Sequence, residues 1–119
     1  MKGQTLADLA APLLALQTAA RVFSHLPAPT VRVSTIAPDR LDLTFHDDDF
    51  SPVAPLAAFE AWREALGIDA MDVVHRVHSD GRTGALSVHG VFAGAAVELV
   101  AYTDITALEP VPVEAGAGA

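Results

Sequence analysis

The sequence predicts an α+β domain in which two helices pack on an antiparallel sheet of about five strands, in the order α-β-β-α-β-β-β. Three observations carry this. Two segments repeat apolar residues at helical spacing, several short segments alternate apolar and polar residues, and Gly, Pro or Asp stand at the junctions.

The first helix rests on Leu6, Leu9, Leu13, Leu16, Ala20 and Phe23, whose 3-4-3-4-3 spacing makes an apolar seam. Pro12 either kinks this helix or occupies the first turn of a shorter one that begins near Ala11. The segment Leu26–Thr30, LPAPT, ends it. The seam packs on the domain's own sheet or serves as a helix–helix contact between two copies. Met1–Lys2 followed by Leu9–Leu16 has a faint likeness to a secretory leader. Asp8 offsets the lysine and the seam runs on to Phe23, so the segment reads as a helix of the mature domain.

Two strands are expected next, Val31–Ile36 and Arg40–His46, around a turn at Ala37-Pro38-Asp39. The second alternates, with Leu41, Leu43 and Phe45 inward and Arg40, Asp42, Thr44 and His46 outward. Asp47–Pro55 forms a loop, with Ser51 as helix cap and Pro52 at the first helical position. The second helix, Pro52–Leu66, gathers Leu56, Phe59, Trp62 and Leu66 on one face, and Gly67 stops it. Trp62 and Phe59 read as core.

A three-stranded meander fills Met71–Thr103. A type I′ turn at Asp80-Gly81 places Val77 opposite Gly84, His75 opposite Leu86, Val73 opposite Val88 and Asp72 opposite His89. The second turn is expected at Gly94-Ala95; a turn at Ala93-Gly94 instead brings Glu98 beside His89 without exchanging the faces. Residues 1–105 form the domain, and the Ala/Gly/Pro-rich tail 106–119 is expected to be disordered.

The meander is apolar on both faces. One carries Val73, His75, Val77, Leu86, Val88, Phe92, Val97, Leu99 and Ala101, and is the expected core side. The other carries Asp72, Val74, Arg76, Ala85, Ser87, His89, Val91, Ala96, Glu98, Val100 and Tyr102. Val74, Val91, Val100 and Tyr102 make an apolar patch where a one-sided sheet is polar. They are the expected interface with a partner; the alternative is that a long loop or the C-terminal tail folds over this face.

Composition narrows the function. Fifteen acids against 7 basic residues give a net charge of −8, with the basic residues scattered, so nucleic-acid binding is not expected. The absence of cysteine excludes disulfides and thiol chemistry and suits a cytoplasmic location. No apolar run is long enough to span a membrane. With 51% hydrophobic and 18% charged residues, more apolar surface is available than a small core hides, which favours a homodimer.

Catalytic signals are weak. Asp72, His89 and Glu98 share a face, where a carboxylate beside an imidazole can orient a base or hold a metal, but cross-strand charge pairing explains them more simply. Arg76 joins them as a ligand contact. His75 and His78 point to opposite faces, and His46-Asp47-Asp48-Asp49 lacks the spaced ligands and glycine of a calcium loop. No catalytic set, metal or cofactor is expected. The expectation is a non-enzymatic, homodimeric interaction module, an adaptor, regulatory or chaperone-like subunit for another protein. It self-associates through its second sheet face, with the first helix as a further contact. The alternative is a small-molecule binder or weak enzyme that uses Asp72 and His89 in a pocket between sheet and helices, gated by the His46–Phe50 loop.

Overall fold

Leu41, Leu43 and Phe45 alternate with polar residues, and this period of two decides which side of the sheet the helices take. The computed structural model describes residues 4–46, 54–77, 81 and 83–104. A single 3-10 turn, Leu6–Leu9, leads into α1 (Ala10–Val22), followed by β1 (Thr30–Ser34), β2 (Ala37–His46) and α2 (Pro55–Ala65). A second 3-10 turn, Ala70–Asp72, precedes β3 (Val74–Val77), β4 (Thr83–Phe92) and β5 (Ala95–Asp104).

The α+β class, the two helices and the five strands agree with the sequence reading; two 3-10 turns are added to the expected order. The sheet is mixed rather than wholly antiparallel. Its strand order is β1-β2-β5-β4-β3, and β2 pairs with β5 in parallel while the other pairs are antiparallel. The chain crosses from β2 to the far edge through α2, and the meander then works back until β5 meets β2. This order puts the most thoroughly apolar strand in the middle, with Val97, Leu99 and Ala101 buried against Leu41, Leu43 and Phe45.

Both helices lie on that side. Ala58, Phe59 and Trp62 of α2 and Ala15 and Ala19 of α1 join the buried cluster with Val88. Trp62 donates its indole N–H to the Pro27 carbonyl at 2.7 Å, which satisfies the polar edge of a buried ring. Phe23 meets Trp62 edge-on at 5.8 Å between centroids and Phe92 at 5.3 Å. The α1 seam is not the buried stripe. Pro12, Ala15 and Ala19 face inward, Leu16 and Phe23 are half-buried, and Leu6, Leu13, Leu14 and Val22 are exposed. Small residues bring the helix close to a sheet that already carries leucine and phenylalanine, so the leucines fall to its flank and outer side. Pro12 lies in the first turn, where its missing N–H costs nothing.

Several local expectations shift. The β1–β2 turn falls at Thr35-Ile36, held by the Ile36 N–H donating to Ser34 Oγ at 3.1 Å, and Pro38 and Asp39 belong to β2. Pro38 is tolerated because it precedes the ladder with β5, which begins at Arg40. Helix α2 starts at Pro55; Ser51 and Pro52 lie outside the described residues. Gly67, at φ 71°, closes α2 with bonds from its N–H to Glu64 O and from the Ile68 N–H to Arg63 O, the paired Schellman geometry. Arg63 donates to Ile68 O and to the Glu60 carboxylate, and its hydrogen bond holds the Glu60 carboxyl below its ordinary range against a smaller opposing effect of burial.

The β3–β4 register matches expectation at Val77–Gly84 and His75–Leu86. It stops at Val74, because Asp72 belongs to the 3-10 turn, so the Val73–Val88 and Asp72–His89 pairs do not form. His75 and Val77 are exposed rather than in the core, since β3 is an edge strand beyond the cover of the helices. Asp47–Asp49, His78, Asp80 and the tail 105–119 lie outside the described residues. The second meander turn is Ala93-Gly94, with Phe92 opposite Ala95. Both turn residues have positive φ, 50° for Ala93 and 86° for Gly94, which is the type I′ form.

Ala93 therefore occupies a left-handed position that disfavours a Cβ by about 1 kcal/mol. Replacing it to give the preferred Asn-Gly turn, Ala93→Asn, should stabilise the domain by about 0.5–1 kcal/mol and raise Tm by a few degrees. A thermal melt that is unchanged or lower would contradict this turn geometry.

Candidate functional site

The side of the sheet opposite the helices carries the outward residues of all five strands, and no described element covers it. Register fixes its rows. Arg32 lies opposite Asp42, Asp42 opposite Glu98, and Glu98 opposite His89. A second row runs Thr30, Thr44, Val100, Ser87, Val74, and a third runs His46, Tyr102, Ala85, Arg76. Arg40, Ala96 and Val91 make the fourth.

The face is apolar and charged in different places. Val91 is 78% exposed, Val74 48% and Tyr102 37%, while Val100 near the middle is half-buried. Val74, Val100 and Tyr102 border one concavity of about 350 Å³ or stand beside it, with Arg76, Ala85, Ser87 and Glu98 in its lining. Val91 stands apart, at the turn end. The four expected interface residues thus share one face, three of them grouped.

Asp42 and Glu98 are direct neighbours on parallel strands, a like-charge contact that is unfavourable alone. Cations flank it. Arg40 Nε lies 2.7 Å from Asp42 Oδ1 and 4.0 Å from Glu98 Oε1, and His89 Nε2 lies 3.0 Å from Glu98 Oε2. The short Arg40–Asp42 contact is an ion pair whose angle is too bent for a hydrogen bond, so Arg40 Nε and Asp42 Oδ1 are buried without a directional partner. At one margin Thr30 Oγ1 and His46 Nε2 are 3.2 Å apart. Arg32 and Arg76 have no carboxylate partner among the described residues.

Of the four expected ligand contacts, the fold brings His89 and Glu98 into contact and leaves Arg76 two rows away, while Asp72 stands off the ladder in its 3-10 turn. Among the described residues no group of three His, Asp or Glu side chains is arranged to hold a metal ion. Between sheet and helices lies the buried cluster of Ala15, Ala19, Leu41, Leu43, Phe59, Trp62, Val97 and Leu99. A smaller concavity of about 260 Å³, near the end of α1, is lined by Leu16, Phe23, Leu26, Pro27 and Trp62 among others and has no charged side chain. The sequence reading missed Arg40 and Asp42 as partners of Glu98. Their outward direction was legible from the alternation, but the parallel pairing that sets them beside β5 was not.

Comparison of the chain with models of known protein families, with curated proteins and with solved structures finds no match. Among the described residues, no helix is long and apolar enough to cross a membrane.

His89 is 65% exposed on its side chain, so its pair with Glu98 belongs to the weak surface class. A double-mutant cycle of His89→Ala and Glu98→Gln, read by urea unfolding, should give a coupling below about 1 kcal/mol that shrinks with added salt. A larger, salt-independent coupling would show that this pair is shielded from solvent.

Proposed function

We propose that this chain is a non-enzymatic protein-interaction module whose open sheet face receives an extended segment of a partner rich in carboxylates and aliphatic side chains. The observation that carries this is one of placement. In a chain of net charge −8, that face collects Arg32, Arg40 and Arg76 with His46 and His89, against Asp42 and Glu98. Exposed Val74, Val91 and Tyr102 lie among these cations. Carboxylates of a partner complement Arg32 and Arg76, which have no carboxylate partner among the described residues, and its aliphatic groups cover the valines. At about 25 cal/mol per Å², covering on the order of 200 Å² of apolar area contributes about 5 kcal/mol before association costs.

The working unit in this reading is a homodimer joined through the outer side of α1. Pressing two open faces together would strip water from Arg40, Asp42 and Glu98, a cost that charge pairing repays poorly. The outer side of α1 has no such layer: Leu6, Leu13 and Leu14 stand exposed with only Gln17 and Arg21 among them. A two-fold contact buries the same patch on both copies. Light scattering should therefore give twice the chain mass for the wild type and for Val91→Asp, and the single-chain mass for Leu13→Asp. Monomeric Val91→Asp would return the dimer contact to the sheet.

The docking face is tested with a random peptide library selected on the immobilised full chain at low salt. Enriched peptides should combine Asp or Glu with Val, Ile or Leu. Arg76→Glu or Val100→Asp should cost about 1.4 kcal/mol, roughly tenfold in Kd, or more. Selection of basic peptides, or of peptides indifferent to both substitutions, would defeat the proposal. A second reading has one observation behind it, the concavity of about 350 Å³ lined by Arg76, which has no carboxylate partner among the described residues: a small organic anion as ligand. Binding of such anions without any peptide binding would favour it.

A further inference from the structure

We infer that the partner's segment is anchored by the backbone of β4: it adds antiparallel to the open edge of residues 88–92 and exchanges hydrogen bonds with His89 and Val91. This rests on the docking role assigned above to the open face, and it adds where that segment is held and in which register.

Ladder length is the first argument. β4 pairs with β5 along all 10 of its residues, whereas β3 covers only residues 84–87 on its other side. The two-residue turn makes Phe92 and Ala95 a hydrogen-bonded pair. The backbone groups of Phe92, Gly90 and Val88 therefore point to β5, and those of Val91 and His89 point away. Ser87 and Ala85, of the same parity, meet Val74 and Arg76 of β3. The next position in that series, opposite His89, is vacated because Asp72 belongs to the 3-10 turn. Among the described residues, the N–H and C=O groups of His89 and Val91 have no backbone partner on that side. Four aligned groups on an exposed edge are a template for a further strand.

Chemistry on the two sides of that edge is the second. On the helix side Ile68 lies over Gly90, where a Cβ would come within 2.7 Å of its Cδ1, and Phe92 stands next along the strand. Both are half-buried, so an aliphatic side chain opposite Gly90 packs on them. On the open face Val91 is 78% exposed and calls for an aliphatic neighbour. His89 ends the row Arg32, Asp42, Glu98, His89, so the group placed beyond its imidazole is acidic. Read along an antiparallel segment, the order is aliphatic, aliphatic, acidic. The other edges offer less. β1 follows Pro27 and Pro29 and has a register shift at Val33/Ser34, both of which discourage a further strand. The outer edge of β3 lies beyond the helices, where His75 and Val77 are exposed and an added strand finds no apolar cover.

The probe is the end-capped peptide Thr-Val-Val-Glu-Thr, titrated into the full chain and followed by NMR. Saturation should slow hydrogen exchange of the His89 and Val91 amides about tenfold or more, with no change along α1. N-methylation of the peptide's second or fourth residue removes an N–H aimed at β4 and should weaken binding about tenfold. At the third residue the N–H points outward, and N-methylation there should leave Kd nearly unchanged. In the protein, Val91→Pro deletes an outward N–H without touching the β5 ladder, so it should abolish binding while Tm falls by less than about 5 °C. Absence of binding, binding without slowed exchange, or equal loss from all three methylations would overturn the inference. So would slow exchange at His89 and Val91 in the peptide-free chain that disappears on dilution, since a second copy then occupies the edge. The docking role fails separately. Peptide that shifts only Val74, Val100 and Tyr102 removes the edge register and keeps the face, whereas selection of basic peptides from the library removes the face itself.

Discussion

A five-stranded sheet is about 24 Å across at ~4.8 Å per strand, and two helices of about 10 Å diameter lying side by side cover one face of it. Helices α1 and α2 take the side of Leu41, Leu43, Phe45, Val97 and Leu99, and among the described residues nothing is left for the other. The remaining features follow from this. Central strands are buried on one side only, the edge strand β3 escapes cover, and every outward residue of β2, β4 and β5 is left to meet solvent, a partner or the chain itself.

The open face is built differently from the core. One row of it is held by polar contacts, with Glu98 between Arg40 and His89, while Val74, Val100 and Tyr102 group beside that row around one concavity. A surface of this kind is poorly suited to a dry, obligate contact, because its charges keep a strong claim on water. Arg32 and Arg76, which have no carboxylate partner among the described residues, share this face with exposed Val74 and Val91. The outer side of α1, leucine-rich and nearly uncharged, has the opposite character.

Much of the architecture was legible in the residues because it depends on local rules. Alternation in Arg40–His46 gave the inward and outward sets, the Asp-Gly pair expected as a turn predicted the β3–β4 register seen from Val77 to His75, and Gly67 marked the end of α2 through its left-handed backbone. The grouping of Val74, Val100 and Tyr102 with Arg76 on one face followed from parity alone, and the structure keeps it. Tertiary structure decided what parity leaves open. Which strand lies beside β5 is a long-range choice, and the parallel β2 pairing that sets Asp42 against Glu98 has no local signature. The rotation of α1 was likewise undetermined: a heptad seam shows that a helix has an apolar side, but contact with the sheet favoured Ala15 and Ala19 because small side chains pack closer than the leucines beside them. Turn choice at Ala93-Gly94 went the same way, with pairing along the whole β4–β5 ladder outweighing the strain of one alanine at positive φ. Sequence determines which residues share a surface; the packed fold determines what that surface faces, because burial is settled by neighbours that lie far away along the chain.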